Sequence, residues 1–256
     1  MDTASALDEN TPEISDAQLQ TLFAAIEHDG YCCVPDFLAP ASLVTMQEFV
    51  ESSVRASRNE YVAFKGSEAV KGSGLDQLAY STRFQSIFSR LYVASCNKPA
   101  PAVEFYQILR CLTGKGMMQH SLNFHYDSYL LTALIPIVIP TAGRAGDLLL
   151  VPNTRPVRET YARNLVDKVM VDKIRQGSLK NRAARNPLSF TRIKMVPGNL
   201  YLFWGYRTIH ANEPCDPNTV RATALYHYFD PHADSRLKAR LGRRAHVNEV
   251  EPSVVR

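Results

Sequence analysis

From Ala102 onward the chain consists of short apolar segments separated by turn residues, and this pattern restricts the possible folds more than any other feature. Gly, Pro and Asn stand between the segments, which are rich in β-branched and aromatic residues. The pattern predicts an antiparallel sandwich or barrel rather than alternating strand–helix units. The segments are "AVEFYQILRCL", "SLNFHYDSYLLTALIPIVI", "GDLLLVP", "FTRIKMV", "NLYLFWGYRTIH" and "RATALYHYF".

Residues 1–100 are predicted to be mostly helical. Ser15 and Gln18 form a capping box that begins one helix, and Ser81 caps a later one. The stretch "YCCVPDFL" is a short strand between helices, and the polar stretch 57–74 is expected to be a mobile loop. We interpret all 256 residues as one domain, in which 102–230 form the sheet core and 231–256 a carboxy-terminal tail.

Composition and cysteine usage predict a cytoplasmic protein without a disulfide framework. Hydrophobic residues make up 45% of the chain and the net charge is +4, which suits a sizeable core. The beginning of the sequence lacks the basic and apolar parts of a signal peptide. The longest apolar run, Leu130 to Pro140, is too short to span a bilayer. Five cysteines without a C-x-x-C pair indicate a reducing compartment.

A histidine and an aspartate stand two positions apart at the start of the most apolar segment. On a strand, residues i and i+2 share a face, so Asn123, His125 and Asp127 are expected to point the same way. Burying such groups unpaired costs about 2–7 kcal/mol for a polar group. A shared cation would remove that cost, and a tight site needs a third ligand.

His210, at the end of "GNLYLFWGYRTIH", is the best candidate for the third ligand. Two histidines and one carboxylate on a rigid sheet form the facial triad that holds iron(II) and leaves positions open. The alternative is that these are ordinary core or surface residues, because short motifs often arise by chance. That ordinary interpretation is given to four of the other histidines, namely His28, His120, His232 and His246.

Arg221 opens the next strand, and on that strand it shares a face with Thr223, Leu225 and His227. An arginine that points into a barrel is costly unless it meets an anion, and its planar fork suits a carboxylate. Thr223 could bind the same carboxylate. A metal together with a fixed carboxylate clamp matches a chelating 2-oxo dicarboxylic acid. The alternative for Arg221 is an ordinary salt bridge.

Together these residues resemble the signature of iron(II)- and 2-oxoglutarate-dependent dioxygenases. The stretches "DGYCCVPDFLAPASL" and "PGNLYLFWGYRTIHANEP" resemble the phytanoyl-CoA dioxygenase-like branch. The resemblance implies a double-stranded β-helix (a cupin-like jelly roll) over about residues 102–230, with helices at the amino terminus. It is weaker for those helices, and "VPNTRP" departs from the P-G-S-H turn of many relatives.

The resemblance also implies roles for individual residues. His125, Asp127 and His210 would hold iron, and Arg221 would bind the distal carboxylate of 2-oxoglutarate with help from Thr223. Oxygen is the other cosubstrate, and the intact Asp127 favours hydroxylation or a related oxidation, because related halogenases lack this carboxylate. The weaker candidates are Gln107 and Asn123 for the cosubstrate, and Trp204 and Tyr126, with Tyr206, for the substrate.

The stretch 155–185 is predicted to be one inserted helix, and it carries nine basic and three acidic residues. A solvated helix face is the favoured interpretation, while an anionic small-molecule substrate, a carrier protein or a nucleic acid is the alternative. Two rivals to the oxygenase hypothesis stay open. One is a catalytically silent sheet module that binds a polyanion or a protein partner; the other is a cupin-like metalloenzyme that does not use 2-oxoglutarate. Nucleic acid is the less favoured partner, and the sequence does not indicate an oligomeric state.

Overall fold

The computed structural model describes residues 11–58, 60–186 and 189–246. Two antiparallel sheets, flanked by helices, make up most of this part of the chain. The strands are β1 Cys32–Val34, β2 Val62–Lys65, β3 Tyr106–Leu112, β4 Leu131–Val138, β5 Leu148–Val151, β6 Thr191–Ile193, β7 Leu200–Phe203, β8 Ile209–Asn212 and β9 Arg221–Tyr228. The α-helices are α1 Asp16–His28, α2 Pro40–Ala56, α3 Leu75–Tyr80, α4 Thr82–Cys96, α5 Tyr161–Val169, α6 Gln176–Arg185 and α7 Arg236–His246.

The larger sheet has six strands in the order β1-β7-β4-β9-β3-β2, and the smaller has three in the order β6-β5-β8. His125 pairs with His210 in an antiparallel bridge, so the segment before β4 extends the smaller sheet beyond β8. The chain thus passes from the smaller sheet into β4 of the larger one within a few residues. That crossing point carries the His-x-Asp motif.

The outer face of the larger sheet packs on the amino-terminal helices. Tyr226 of β9 lies against Phe84 of α4, with ring centroids 5.0 Å apart, and Phe84 also contacts Phe88 at 5.0 Å. Alternate residues of β9 belong to this core, including Ala222 and Ala224. Because side chains alternate along a strand, Arg221, Thr223, Leu225 and His227 point to the inner face. These are the four residues that the sequence predicted to share a face.

The capping predictions for the amino-terminal helices are confirmed. Ser15 and Gln18 form the reciprocal capping box of α1, and the Ser81 hydroxyl accepts a hydrogen bond from the Phe84 amide. The predicted loop 57–74 is wrong in part, because it contains β2. This strand pairs with β3, with Val62 opposite Cys111, and cross-strand pairing rather than local sequence determines it.

The segment between β5 and β6 is helical from Tyr161, not from Arg155. The Thr160 hydroxyl accepts a hydrogen bond from the Arg163 amide and thereby begins α5. A π-helical turn, Met170–Arg175, joins α5 to α6. The carboxy-terminal stretch predicted as a tail contains α7, whereas residues 1–10 and 247–256 of the predicted terminal parts lie outside the described residues. Among the described residues, the helices are too short or too polar to cross a bilayer.

Candidate metal centre and cosubstrate pocket

His125, Asp127 and His210 converge at the crossing point between the two sheets. One ligand atom from each lies within 4.8 Å of the other two. The Nε2 atoms of His125 and His210 lie 3.7 Å and 3.5 Å from Oδ1 of Asp127. The backbone holds this arrangement, because His125 and His210 exchange both backbone hydrogen bonds at 3.1 Å. The structure therefore brings together the three residues that the sequence proposed as ligands.

Both imidazoles present an Nε2 lone pair to the shared carboxylate. Nδ1 of His125 lies 2.8 Å from the Asn123 carbonyl oxygen, and Nδ1 of His210 lies 3.1 Å from the Thr208 carbonyl oxygen. A carbonyl oxygen can only accept, so in the neutral rings the proton is on Nδ1 and Nε2 is unprotonated. Lone pairs on nitrogen then face lone pairs on oxygen. A cation between them turns this repulsion into attraction, and backbone-oriented imidazoles are typical of metal sites.

The second carboxylate oxygen of Asp127 is held by Thr132 and His227. The Thr132 hydroxyl donates to Asp127 Oδ2 at 2.5 Å, and His227 Nδ1 lies 3.1 Å from the same hydroxyl oxygen. Since the hydroxyl proton points to Asp127, Nδ1 of His227 must be the donor in the other bond. The carboxylate is thereby fixed with Oδ1 towards the two imidazoles. Sequence reasoning missed Thr132, although Thr132 pairs with His227 across β4 and β9.

Gly205 leaves the space that this carboxylate occupies. A Cβ atom added at this position would lie 2.3 Å from both Asp127 Oδ2 and Thr132 Oγ1. The Gly205 carbonyl also accepts a hydrogen bond from the Asp127 amide at 3.0 Å. The glycine in "FWGYR" is therefore required by the close approach of the carboxylate to the backbone.

The buried charges of the triad stabilise one another. Burial alone would raise the pKa of Asp127, but His210, His227 and His125 hold it well below its usual range. Burial, together with the neighbouring His210, lowers the pKa of His125 to about 4. The Asp127 carboxylate outweighs burial at His210 and raises the pKa of that ring. The site thus favours an ionised carboxylate next to a neutral His125, which is a suitable form for metal binding.

A pocket beside the triad is lined by Arg221 and Thr223, the residues that the sequence predicted to bind a carboxylate. His125 and His210 form one end of its wall, and Arg221 and Thr223 lie further along the inner face of β9. Arg221 is 3% exposed, and its Nε donates to the Gly146 carbonyl at 2.8 Å. Nη1 lies 3.5 Å from the Thr223 hydroxyl. Among the described residues no carboxylate lies within ion-pair distance of Arg221, so the predicted alternative of an ordinary salt bridge is not observed.

Arg110 and His120 also line this pocket, and the sequence did not identify them. Arg110 stands opposite Thr223 in the pairing of β3 with β9, so strand parity places it on the inner face. Burial, and then the neighbouring Arg110, lowers the pKa of Arg221 to about 10. His120, interpreted as an ordinary residue, stacks on Tyr61 with ring centroids 3.7 Å apart. The pocket therefore combines two guanidinium groups with polar and apolar walls.

The weaker candidates for binding cosubstrate and substrate lie in different parts of the structure. Asn123 lines the pocket, whereas Gln107 does not. Gln107 has the opposite parity to Arg110 on β3 and faces a different cavity, next to Ala79 and Gln85. Trp204 is fully buried on the helix side, where its indole N–H donates to Glu27 at 2.6 Å. Neither Gln107 nor Trp204 reaches the metal triad.

Tyr126 and Tyr206 also point away from the triad, towards the inserted segment. The Arg155 guanidinium lies between their rings, 3.8 Å from the centroid of Tyr126 and 4.2 Å from that of Tyr206. The Arg155 side chain also donates to the Tyr206 carbonyl at 2.7 Å. These aromatic side chains therefore dock the insertion rather than line the pocket. Tyr126 has the opposite parity to His125 and Asp127, and Tyr206 lies in the turn between β7 and β8.

The insertion lies against the strand that carries His125 and Asp127. Gln176 hydrogen-bonds the backbone of Phe124, and Lys168 Nζ lies 2.8 Å from the Ser128 hydroxyl. Part of its positive charge is used internally, since Arg155 and Arg158 both pair with Asp167. These contacts place the basic segment beside the metal centre and reduce the charge that is free to face a polyanion.

No protein-family model matches the chain, and no curated protein matches it significantly. Solved structures do match it. A prolyl hydroxylase of Trichoplax adhaerens, in complex with a hypoxia-inducible factor fragment, superposes with a TM-score of 0.53 at 15% identity, over 90% of this chain and 96% of that one. SnoN, a non-heme alpha-ketoglutarate-dependent epimerase from nogalamycin biosynthesis, superposes with a TM-score of 0.50 at 14% identity, over 84% of each chain.

A prolyl 4-hydroxylase of Pseudomonas putida gives a TM-score of 0.52 at 10% identity, over 82% of this chain and 98% of that chain. At such identities the likeness shows the fold. The chain thus has the jelly-roll fold found in 2-oxoglutarate-dependent oxygenases. This agrees with the fold class that the sequence predicted, namely antiparallel sheets with flanking helices.

Proposed function

We propose that this protein is an iron(II)- and 2-oxoglutarate-dependent oxygenase that hydroxylates an unactivated C–H bond of a small organic substrate. The observation that carries the proposal is a buried, carboxylate-free Arg221 in the pocket that adjoins the His125–Asp127–His210 cluster. The intact carboxylate of Asp127 favours hydroxylation. The two sequence stretches quoted above favour the phytanoyl-CoA dioxygenase-like branch.

The fit of iron rests on the donor set. Two neutral imidazoles and one carboxylate suit iron(II), and they occupy one side of the ion, which leaves positions for a chelating ligand and oxygen. The lone pairs that converge on one point need a cation there. His125, Asp127 and His210 would hold this ion, while Thr132 and His227 keep the carboxylate oriented.

The fit of 2-oxoglutarate rests on charge. A buried guanidinium without a carboxylate loses hydration and gains little in return, so an anion in the pocket would stabilise it. Arg221 and Arg110 give the pocket two positive charges, and the described residues that line it include no acid. The distal carboxylate of 2-oxoglutarate would partly offset these charges, while its 2-oxo acid end would chelate the iron. Arg221, braced by Gly146 and Thr223, is the residue placed to bind the distal carboxylate.

With both bound, iron would couple the oxidative decarboxylation of 2-oxoglutarate, which yields succinate and carbon dioxide, to insertion of the second oxygen atom of O2 into the substrate C–H bond. The protein's own part is to orient the bound cosubstrate and to exclude water from the site. Leu134, Leu148 and Phe203 give apolar surface to the pocket that His125, His210 and Arg221 also line. A low-polarity wall strengthens the arginine–carboxylate pair and keeps water away from the reacting groups.

We place this chemistry in the cytoplasm. All five cysteines are free, although three of them, Cys32, Cys111 and Cys215, are buried among apolar neighbours. Burial raises the pKa of Cys111 to about 12 and keeps its thiol protonated. Unpaired thiols are typical of a reducing compartment.

The test of the proposed function is the affinity for 2-oxoglutarate. Losing one partner of a desolvated charge pair costs roughly 2–5 kcal/mol, so Arg221→Ala should weaken 2-oxoglutarate binding by about thirtyfold or more. Arg221→Lys should also bind poorly, because a point charge lacks the planar fork. Iron affinity should change little, since Arg221 is not a ligand.

A 2-oxo monocarboxylate provides the control in the same titration. It lacks the distal carboxylate, so its affinity should be nearly the same in wild type and in Arg221→Ala. A variant that still prefers the dicarboxylate would show that Arg221 has a structural role and that another cation binds the cosubstrate. The cupin-like alternative predicts oxidation that is independent of 2-oxoglutarate, and the binding-module alternative predicts salt-sensitive polyanion binding that survives loss of His125.

A further inference from the structure

Lys168 is a half-buried cation at the metal centre without a carboxylate of its own. It lies on α5, in the inserted segment, and its ammonium group donates to the Ser128 hydroxyl at 2.8 Å. Ser128 directly follows Asp127. Among the described residues, no carboxylate lies within ion-pair distance of Lys168, whereas the neighbouring cations Arg155 and Arg158 share Asp167. Burial lowers the pKa of Lys168, although Asp127 and Asp172 act to raise it. The protein thus holds a partly desolvated ammonium group next to the triad without a direct carboxylate contact among the described residues.

Three stacked rings form a surface at the same end of the site. The ring centroids of Tyr129 and His227 are 5.1 Å apart, and those of Tyr106 and Tyr129 are 5.6 Å apart, with nearly parallel planes. The centroids of Tyr106 and His227 are 6.1 Å apart, so the three rings form a triangular cluster in which His227 is buried and Tyr106 is 37% exposed. It is continuous with the metal centre, because His227 bonds Thr132, which holds Asp127.

This surface and the 2-oxoglutarate pocket lie at opposite ends of β9. Arg221 begins the strand and His227 is six positions further along the same inner face. At about 3.3 Å per residue, their backbones are about 20 Å apart. The triad lies between them, with Oδ1 of Asp127 towards the imidazole ligands and Oδ2 towards His227. A molecule on the Tyr129 side would therefore approach the metal without competing for Arg221.

We propose that the primary substrate carries an anionic group that binds Lys168 and an apolar body that packs on the Tyr106–Tyr129 surface. This inference depends on the proposed function only in calling the bound molecule the substrate. The binding experiment that tests it does not depend on the proposed function. An ammonium group recognises a carboxylate or a phosphate as a point charge, and it does so best where water is partly excluded. The ring faces supply apolar contact area for the rest of the molecule.

The probes are phenylacetate and its uncharged isostere phenylacetamide, which share an aromatic body and differ in the anionic group. Their binding to the full chain is measured by ligand-observed NMR without iron or 2-oxoglutarate, so that failure of the oxygenase proposal does not affect the readout. Wild type should prefer the acid. Lys168→Met and Lys168→Gln should each weaken acid binding by about tenfold and leave amide binding unchanged. Either variant alone decides the result if the other does not fold.

Lys173→Met is the matched control, because Lys173 is an exposed lysine of the same inserted segment. It should bind both probes as wild type does. Arg221→Ala should also retain acid binding. Loss of acid binding in Arg221→Ala but not in the Lys168 variants would place the probe in the cosubstrate pocket and overturn the inference. Equal affinity of wild type for acid and amide, or no detectable acid binding at millimolar concentration, would overturn it as well.

Discussion

Thr132 determines how Asp127 presents its oxygen atoms. Its hydroxyl donates a hydrogen bond directly to Asp127 Oδ2, and Nδ1 of His227 in turn donates to that hydroxyl oxygen. Loss of such a supporting contact typically lowers metal affinity by about 10- to 100-fold. We therefore expect Thr132→Val to bind iron(II) about 10- to 100-fold more weakly, as measured by anaerobic competition with a chelator. Thr132→Ser keeps the hydroxyl and should stay near wild type; equal affinities in all three proteins would show that Thr132 has no part in orienting the ligand.

Gly205 gives a second prediction about single residues. An added methyl group would overlap Asp127 and Thr132, so Gly205→Ala should displace the carboxylate and abolish tight iron binding. Gly177, in α6, is the matched control, because an added Cβ there meets nothing within 4 Å. Gly177→Ala should bind iron normally and be more stable by about 0.5–1 kcal/mol, since alanine favours a helix. Normal iron binding in Gly205→Ala would contradict the close approach seen here.

Among the elements, the inserted segment is attached by Arg155. Arg155 is 5% exposed, and its guanidinium lies over the rings of Tyr126 and Tyr206 and pairs with Asp167. Arg155→Ala should lower the free energy of unfolding by about 2–4 kcal/mol, because it removes a buried cation and leaves part of its surroundings unpaired. Denaturant unfolding measures this change. Arg163→Ala, at an exposed site on α5, should change stability little, and a similar loss in both variants would show that the docking contacts of Arg155 are not the cause.

Strand periodicity explains which parts of the site the sequence could predict. Alternation placed His125 with Asp127 and Arg221 with Thr223, because it depends only on the local backbone. It did not reveal Thr132, Arg110 or β2, since these are determined by pairing between distant strands, such as Arg110 opposite Thr223. Aromatic side chains also misled the prediction. Trp204 and Tyr126 are large and near the ligands in sequence, but both are buried away from the triad. Tyr126 has the opposite parity to His125, and a turn separates Trp204 from the strand that carries His210.

For the whole molecule, we expect iron(II) and then 2-oxoglutarate each to raise the stability of the folded state. A ligand at a hundred times its dissociation constant stabilises the folded state by about 2.7 kcal/mol, which for a chain of this size raises Tm by roughly 5–10 °C. Anaerobic iron(II) should raise the Tm of wild type and of Arg221→Ala alike. Addition of 2-oxoglutarate should then raise Tm further in wild type and much less in Arg221→Ala. Thermal unfolding with both ligands measures this, and an iron-independent effect of 2-oxoglutarate would argue against chelation at the triad.

The central claim is that the triad and Arg221 hold iron(II) and 2-oxoglutarate together, and an anaerobic optical titration tests it most directly. The chelate of the two gives a weak visible charge-transfer band. We expect this band in wild type only when both are present, at one iron per chain, and not in Asp127→Ala, because an uncharged two-histidine site binds the ion poorly. Absence of the band in wild type with both ligands in excess, or its persistence in Asp127→Ala, would contradict the assignment of the metal centre.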